Sequence, residues 1–234
     1  MISVLRSWSD VGNALGYLMD LGTDKNTRTY HTNPLKNWDL AQIARLLAHQ
    51  KKNVRILDMG CGGSNVLRYC HRNKFANVYG IDLTINFQDR WQQLMYFKNN
   101  RFRIPYHLST QSVTQTTFEN NFFDILICLS VIEHNVNLEQ FFIECSRLLK
   151  KGGKLYLSTD YWDKKINTSD APGNYGLLEN DWTIFSKKEI IEIIHIAKSE
   201  RLILENKKIP DTNQPVVHWN TKKYTFLSII FTKV

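Results

Sequence analysis

Val54-Arg55-Ile56-Leu57-Asp58-Met59-Gly60-Cys61-Gly62-Gly63-Ser64 reads as a short buried strand, an acid at its end, a glycine-rich turn and a helix start. A second strand, Val78-Tyr79-Gly80-Ile81-Asp82, also ends in an acid. Glycines lack side chains, so at such a turn the backbone can approach a ligand closely. Ligands of parallel sheets lie outside the carboxyl ends of the strands. Two strand-terminal acids beside this turn therefore point to a pocket for an adenosine-bearing cofactor, with Asp82 placed to accept both ribose hydroxyls. The plainer alternative is a tight turn without ligand, capped by Asp82.

Outward from this stretch, apolar runs alternate with segments of helical period, which predicts an α/β fold with helices on both faces of a mostly parallel sheet. Helices are expected over residues 39–50, 64–73, 89–97, 138–149 and 187–199. Strands are expected over 54–58, 77–82, 103–108, 123–129, 154–158, 202–207 and 224–232. Pro105 places the 103–108 strand towards an edge. Phe123 to Leu129 is an unbroken apolar run of the kind buried on both faces. Gly152-Gly153 reads as the stop of the 138–149 helix, and Asn37 as an N-cap. A loop rich in Asn, Ser, Pro and Gly spans 160–181 and is long enough to serve as a lid. Residues 1–36 are expected to form an N-terminal cap segment and 37–234 one domain.

The chain has 234 residues, enough for one domain with a substantial core. No stretch approaches the roughly 20 apolar residues of a membrane span, and the first 20 residues lack a signal-peptide pattern, so no membrane partner and a cytoplasmic location are expected. Cys61, Cys70, Cys128 and Cys145 are scattered and read as reduced thiols. The acids and histidines lack metal-ligand spacing, so no metal is expected. A net charge of +8 raises nucleic acid as a partner, but the lysines occur only in scattered pairs and do not favour it.

Asp58 discriminates between cofactors. A pyrophosphate prefers bare amides at a helix N-terminus and would suffer a carboxylate there. A ligand with an ammonium group would welcome it. This favours S-adenosylmethionine over NAD, as does the absence of a full G-x-G-x-x-G.

The stretch 56–63 resembles the first motif of class I S-adenosylmethionine-dependent methyltransferases, and Gly80-Ile81-Asp82 resembles their second. The segments Phe118 to Asp124, Ser130-Val131-Ile132-Glu133-His134 and Arg147 to Leu155 resemble the motifs around the family's fourth strand and before its fifth. The resemblance spans about residues 37–160. It implies a Rossmann-like single-domain fold with a seven-stranded, mostly parallel sheet and an antiparallel last strand. It also implies a cofactor site at Asp58, Gly60, Cys61, Gly62, Asp82, Leu83, Ser112, Val113, Leu129 and Ser130. Two positions depart from the family pattern. Ser112 stands where many relatives carry an acid that meets the adenine, and Thr117 where a proline is usual.

Methyl transfer to a hydroxyl needs a base near the exit of the 123–129 strand. His134 is the first candidate, with a structural histidine in the next helical turn as the alternative. His218 is the second, in the 209–223 loop expected to return to the active-site rim beside Trp219. Asp160, Tyr161, Trp162 and Trp219 are expected to contact the acceptor, since aromatic faces with carboxylates suit a sugar. The His31 and Trp38 segments before the first strand are expected to fold over the pocket. The function implied is methyl transfer to a small molecule, most readily at a hydroxyl of a sugar or glycosylated metabolite. An RNA or protein methyltransferase and a catalytically inactive scaffold subunit are the rivals.

Overall fold

The computed structural model describes all residues except 22–29, 32, 64, 100–103, 171, 172, 176, 177, 181 and 207. The predicted boundaries at Ser64, Arg103, Asp181 and Lys207 lie outside the described residues. In chain order the elements are β1 (Ile2–Val4), α1 (Trp8–Leu21), a 3₁₀ turn (Pro34–Lys36), α2 (Asn37–Ala48), β2 (Arg55–Met59), α3 (Asn65–Arg72), β3 (Asn77–Asp82), α4 (Phe87–Asn99), β4 (His107–Thr110), β5 (Phe123–Leu129) and α5 (Leu138–Leu148). They continue with β6 (Leu149–Trp162), β7 (Gly173–Tyr175), β8 (Leu178–Asn180), β9 (Phe185–Ser186), α6 (Lys187–Ser199), β10 (Leu202–Ile203), β11 (Val217–Trp219) and β12 (Lys222–Lys233).

The main path of the sheet runs β1-β12-β6-β5-β2-β3-β4. The four pairings from β6 through β5, β2 and β3 to β4 are parallel. β12 is antiparallel to β6, as expected of the last strand. Helices cover both faces, and the buried apolar residues divide into two clusters, one on each side of the sheet. β5 sits centrally, which explains its unbroken apolar sequence. β4 lies at the edge, and it starts at His107, so Pro105 precedes the strand expected to contain it.

Several expectations are corrected. The 1–36 segment is not only a cap: Ile2–Val4 adds a strand that pairs with Leu227–Ile229 of β12. The strand expected over 202–207 shrinks to Leu202–Ile203, because β1 occupies the rest of that edge. β6 begins directly where α5 ends, so Gly152-Gly153 is not a helix stop. Gly152 has φ +78°. A side chain at Gly153 would press on the Lys150 and Asp124 carbonyls. The two glycines thus form an irregularity in the strand, and the β5–β6 register shifts there. β6 also runs on to Trp162, so Asp160, Tyr161 and Trp162 are strand residues rather than loop residues. Asn37 is the first residue of α2, not its cap, and its side chain instead brackets the preceding turn. Finally, Val217–Trp219 forms a hairpin with β12 inside the expected 209–223 loop.

All four cysteines are buried and unbridged. Among the described residues no helix is long and apolar enough to cross a membrane.

Candidate active site

The glycine turn is pinned to the neighbouring strand. The amides of Gly60 and Cys61 both donate to the Ile81 carbonyl, at 2.8 and 2.9 Å. Gly60 has φ +78°, and a methyl there would fall inside the Val131 side chain. Gly60→Ala is therefore expected to destabilise the fold by roughly 2–4 kcal/mol, from backbone strain plus overpacking. Urea unfolding measures this, and an unchanged midpoint would refute it. Cys61 turns its sulfur inward towards Gly80, into the core. Its backbone amide shapes the turn.

Asp82 ends β3 and organises the turn. Its Oδ2 accepts the Gly62 amide at 3.0 Å, and its Oδ1 accepts the Thr84 amide at 3.1 Å. A side chain at Gly62 would crowd this carboxylate, so glycine keeps that approach open. Leu83 follows Asp82 and is exposed. Ser112 and Val113 follow β4 next to Asp82, since the Gln111 amide donates to the Asp82 carbonyl at 2.9 Å. The Ser112 hydroxyl shares a hydrogen bond with Thr114 at 2.8 Å, so it is engaged within its own turn.

Asp58 ends β2 and is 3% exposed. Burial, and then the negative charge of Asp82, push its carboxyl up to about 8. A cationic ligand would relieve that cost and a pyrophosphate would aggravate it. The turn, the close approach that Gly62 keeps open and the acceptor carboxyls of Asp58 and Asp82 together fit S-adenosylmethionine.

Beyond the β5 exit lies a second group of polar side chains. Ser130 adopts φ +50°, and its amide donates to the Ser158 carbonyl at 3.0 Å. Its hydroxyl accepts a hydrogen bond from the Lys36 ammonium. Leu129 is half-buried and packs on the core. Glu133 is 1% exposed, and its Oε2 accepts from the Thr159 hydroxyl at 3.0 Å. Its Oε1 is buried, and the Ser130 hydroxyl also acts on this carboxyl. Asp160 is also buried, and its Oδ2 accepts the Trp182 indole N–H at 2.8 Å. Burial raises the carboxyl pKa of both Glu133 and Asp160, and their mutual repulsion raises Asp160 further. The Lys36 charge opposes both shifts. Burial lowers the pKa of His134; Asp160 opposes this shift and Lys36 adds to it. A neutral imidazole, able to take a proton, results at neutral pH.

The structure separates the expected acceptor residues. Side chains alternate along a strand, so Asp160 and Trp162 face one side of β6 and Tyr161 the other. Tyr161 is buried in the opposite core cluster. This corrects its expected contact with the acceptor. Trp219 stacks edge-on against Trp182, with ring centroids 4.8 Å apart. His218 is exposed and lies opposite Lys223 in the β11–β12 hairpin, where alternation turns it away from the Trp219 face. His134 and His218 are therefore not brought to one face. Sequence reading missed Lys36, Asp39 and Glu133 as site residues. Glu133 lay within the quoted 130–134 motif, and Lys36 within the segment expected to fold over the pocket. Two open depressions, of about 310 and 230 Å³, are lined by residues at the other ends of the strands, including Asn120, Arg201, Lys151 and Lys154.

A family profile described as a methyltransferase domain matches residues 57–157. Over 160 residues the chain is 28% identical to a ubiquinone biosynthesis O-methyltransferase of Pelagibacter ubique, covering 66% of this chain and 63% of that protein. It is 31% identical over 143 residues to the protein of the same name from Rickettsia conorii, covering 61% and 45%. The chain thus spans less than two thirds of the length of these curated relatives. Its fold is similar to that of geranyl diphosphate C-methyltransferase from Streptomyces coelicolor, with TM-score 0.60, 19% identity and coverage of 91% and 86%. It is also similar to phosphoethanolamine N-methyltransferase 2 of Haemonchus contortus, with TM-score 0.64, 16% identity and coverage of 95% and 57%.

Proposed function

Because the chain carries a class I S-adenosylmethionine-dependent methyltransferase domain, we propose that it transfers a methyl group from that cofactor to a hydroxyl of a small molecule. The observation that carries this reading is the pair of neighbouring groups at one rim. Asp58, Gly62 and Asp82 suit the cofactor, and Glu133, His134, Asp160 and Lys36 suit a polar acceptor. In this reading Asp82 holds the ribose diol, Asp58 faces the ammonium group, and Ser112 and Val113 border the adenine. Bound there, the cofactor supplies a sulfonium methyl group. His134 takes the acceptor proton, and Asp160 supports the resulting imidazolium. Holding the acceptor in line is worth ~7–11 kcal/mol in comparable reactions.

The curated relatives, named O-methyltransferases, support a small hydroxylated acceptor. The buried depth of Glu133 and Asp160 supports it over RNA or a protein side chain. The lysine pairs add nothing for a polyanion: Lys150, Lys187 and Lys222 are paired with Asp124, Asp211 and Asp170. A sugar or glycosylated acceptor is the narrower reading. Trp162, Trp182 and Trp219 support it, without the contribution expected of Tyr161.

The first test is thermal stabilisation by S-adenosylmethionine and S-adenosylhomocysteine, with NAD as control. A specific ligand at ~100 times its Kd adds about 2.7 kcal/mol. No shift with either, or an equal shift with NAD, would refute the proposal. His134→Ala is expected to lower kcat ~10²–10⁴-fold while S-adenosylhomocysteine affinity stays within about twofold. In the wild type, activity should fall as pH drops through and below the ordinary histidine range, because the neutral imidazole is the active form. A parallel loss of cofactor affinity in the variant would make His134 structural.

A further inference from the structure

We propose that Lys36 is the cationic centre of the acceptor site, where its ammonium group stabilises the acceptor oxygen as that oxygen gives up its proton. The proposal rests on the methyltransferase reading and deepens it, because it names the side chain that meets the acceptor oxygen.

Lys36 comes from the 3₁₀ turn that precedes α2, and that turn is held from both sides. Asn33 Oδ1 accepts the Leu35 amide at 3.0 Å. Asn37 accepts the His31 amide at 2.8 Å and donates to the Pro34 carbonyl at 3.2 Å. The backbone is thus fixed, and the side chain reaches across to the β5 exit. Its ammonium group donates to Ser130 Oγ and lies 3.8 Å from the centre of the Phe226 ring. Asp39 Oδ2 is 3.6 Å away, an ion pair beyond good hydrogen-bond distance. The Lys36 side chain is 20% exposed and that of Asp39 is fully buried, so the lysine is not sealed by its partner.

The surroundings are rich in acid. Asp39 contributes from α2, Glu133 and His134 from beyond β5, Asp160 from β6 and His31 from the preceding segment. The Lys36 charge acts on Glu133, His134, Asp160 and His31, lowering the pKa of each. Asp39 Oδ2 is buried with no hydrogen bond among the described residues beyond its ion pair with Lys36, and Glu133 is buried beside the Ser130 hydroxyl. An ammonium group carries three donors. Ser130 Oγ takes one and Asp39 faces the ammonium group at ion-pair distance, which leaves a donor for an incoming oxygen.

A phenol ionises near 10, and a cation within a few ångströms lowers such a value by about 1–3 units. The neutral His134 imidazole can then remove the proton. In the step, the O–H proton passes to the imidazole nitrogen and the oxygen lone pair forms the new O–CH₃ bond. The C–S electron pair leaves with the thioether product.

The test uses 4-nitrocatechol, whose ionisation is visible by absorbance. It is added to protein loaded with S-adenosylhomocysteine, at a pH below the ionisation of the free probe. The wild type is expected to bind it as the phenolate, with its apparent pKa lowered about tenfold in proton affinity or more. Lys36→Met should lose that shift and Lys36→Arg retain part of it. Both variants should keep the thermal shift with S-adenosylhomocysteine, which shows that they fold. Without any acceptor, the His134 imidazole titration followed by NMR should move upwards in Lys36→Met. A probe equally ionised in Lys36→Met, or bound un-ionised by the wild type, would overturn the assignment of Lys36 alone. Failure of the wild type to bind S-adenosylhomocysteine would overturn the methyltransferase reading, and this inference with it.

Discussion

Asp58→Asn should raise the thermal midpoint of the ligand-free protein at pH 8 and remove its stabilisation by S-adenosylmethionine. The Asp58 carboxyl is buried at the end of β2, and its pKa rises from 3.8 to about 8. A carboxyl with a raised folded pKa binds its proton more tightly in the folded state than in the unfolded chain. The folded protein therefore loses stability as pH climbs from about 4 to about 8, and the loss levels off above that. A shift of this size corresponds to at most ~6 kcal/mol. Asparagine keeps the shape and removes the charge, so it should recover a few kcal/mol, or several degrees in a chain of this size. On the proposed reading, the same change takes the carboxylate from the cofactor's ammonium group. Wild-type binding should also release protons near neutral pH, visible by calorimetry in two buffers of different ionisation enthalpy. A wild-type midpoint that does not fall between pH 5 and pH 8 would contradict the assignment.

Asp82→Ala should weaken S-adenosylmethionine binding by about 100- to 10⁴-fold. Two charge-assisted hydrogen bonds to a ribose diol account for ~3–6 kcal/mol, the energy equivalent of that loss. The substitution also removes the acceptor for the Gly62 and Thr84 amides, so the turn loses its internal tether. Faster amide exchange at both positions should accompany the loss. Asp82→Asn keeps an acceptor oxygen and should fall between the two. Affinity within a few-fold of wild type in Asp82→Ala would take Asp82 out of the ribose site.

The central sheet was legible because its signals are local. Asn77–Asp82 and Phe123–Leu129 are bounded as the apolar runs predict, and so is the Lys187–Ser199 helix. That helix opens with a capping box in which Ser186 and Glu189 satisfy each other's amides. The edge beyond β12 was not legible. Ile2–Val4 is three residues long, and nothing in three residues states that their partner lies more than 200 positions away. Gly152-Gly153 misled for a related reason. Two glycines after a helical run suit a helix end and a strand irregularity alike, and only the β5 neighbour decides between them.

By itself, the sequence determined the Rossmann-like domain, its glycine turn and the acids Asp58 and Asp82. Each rests on residues close together in the chain, where period, glycine and strand-terminal charge act locally. The tertiary structure decided which polar side chains gather beyond the β5 exit. It brought Lys36 to Ser130 across 94 positions, sent Tyr161 into the opposite core, and turned His218 away from the Trp219 face. Strand alternation and the path of the 33–37 turn fix which face each of these side chains occupies. Both depend on which elements pack together, and no local spacing encodes that.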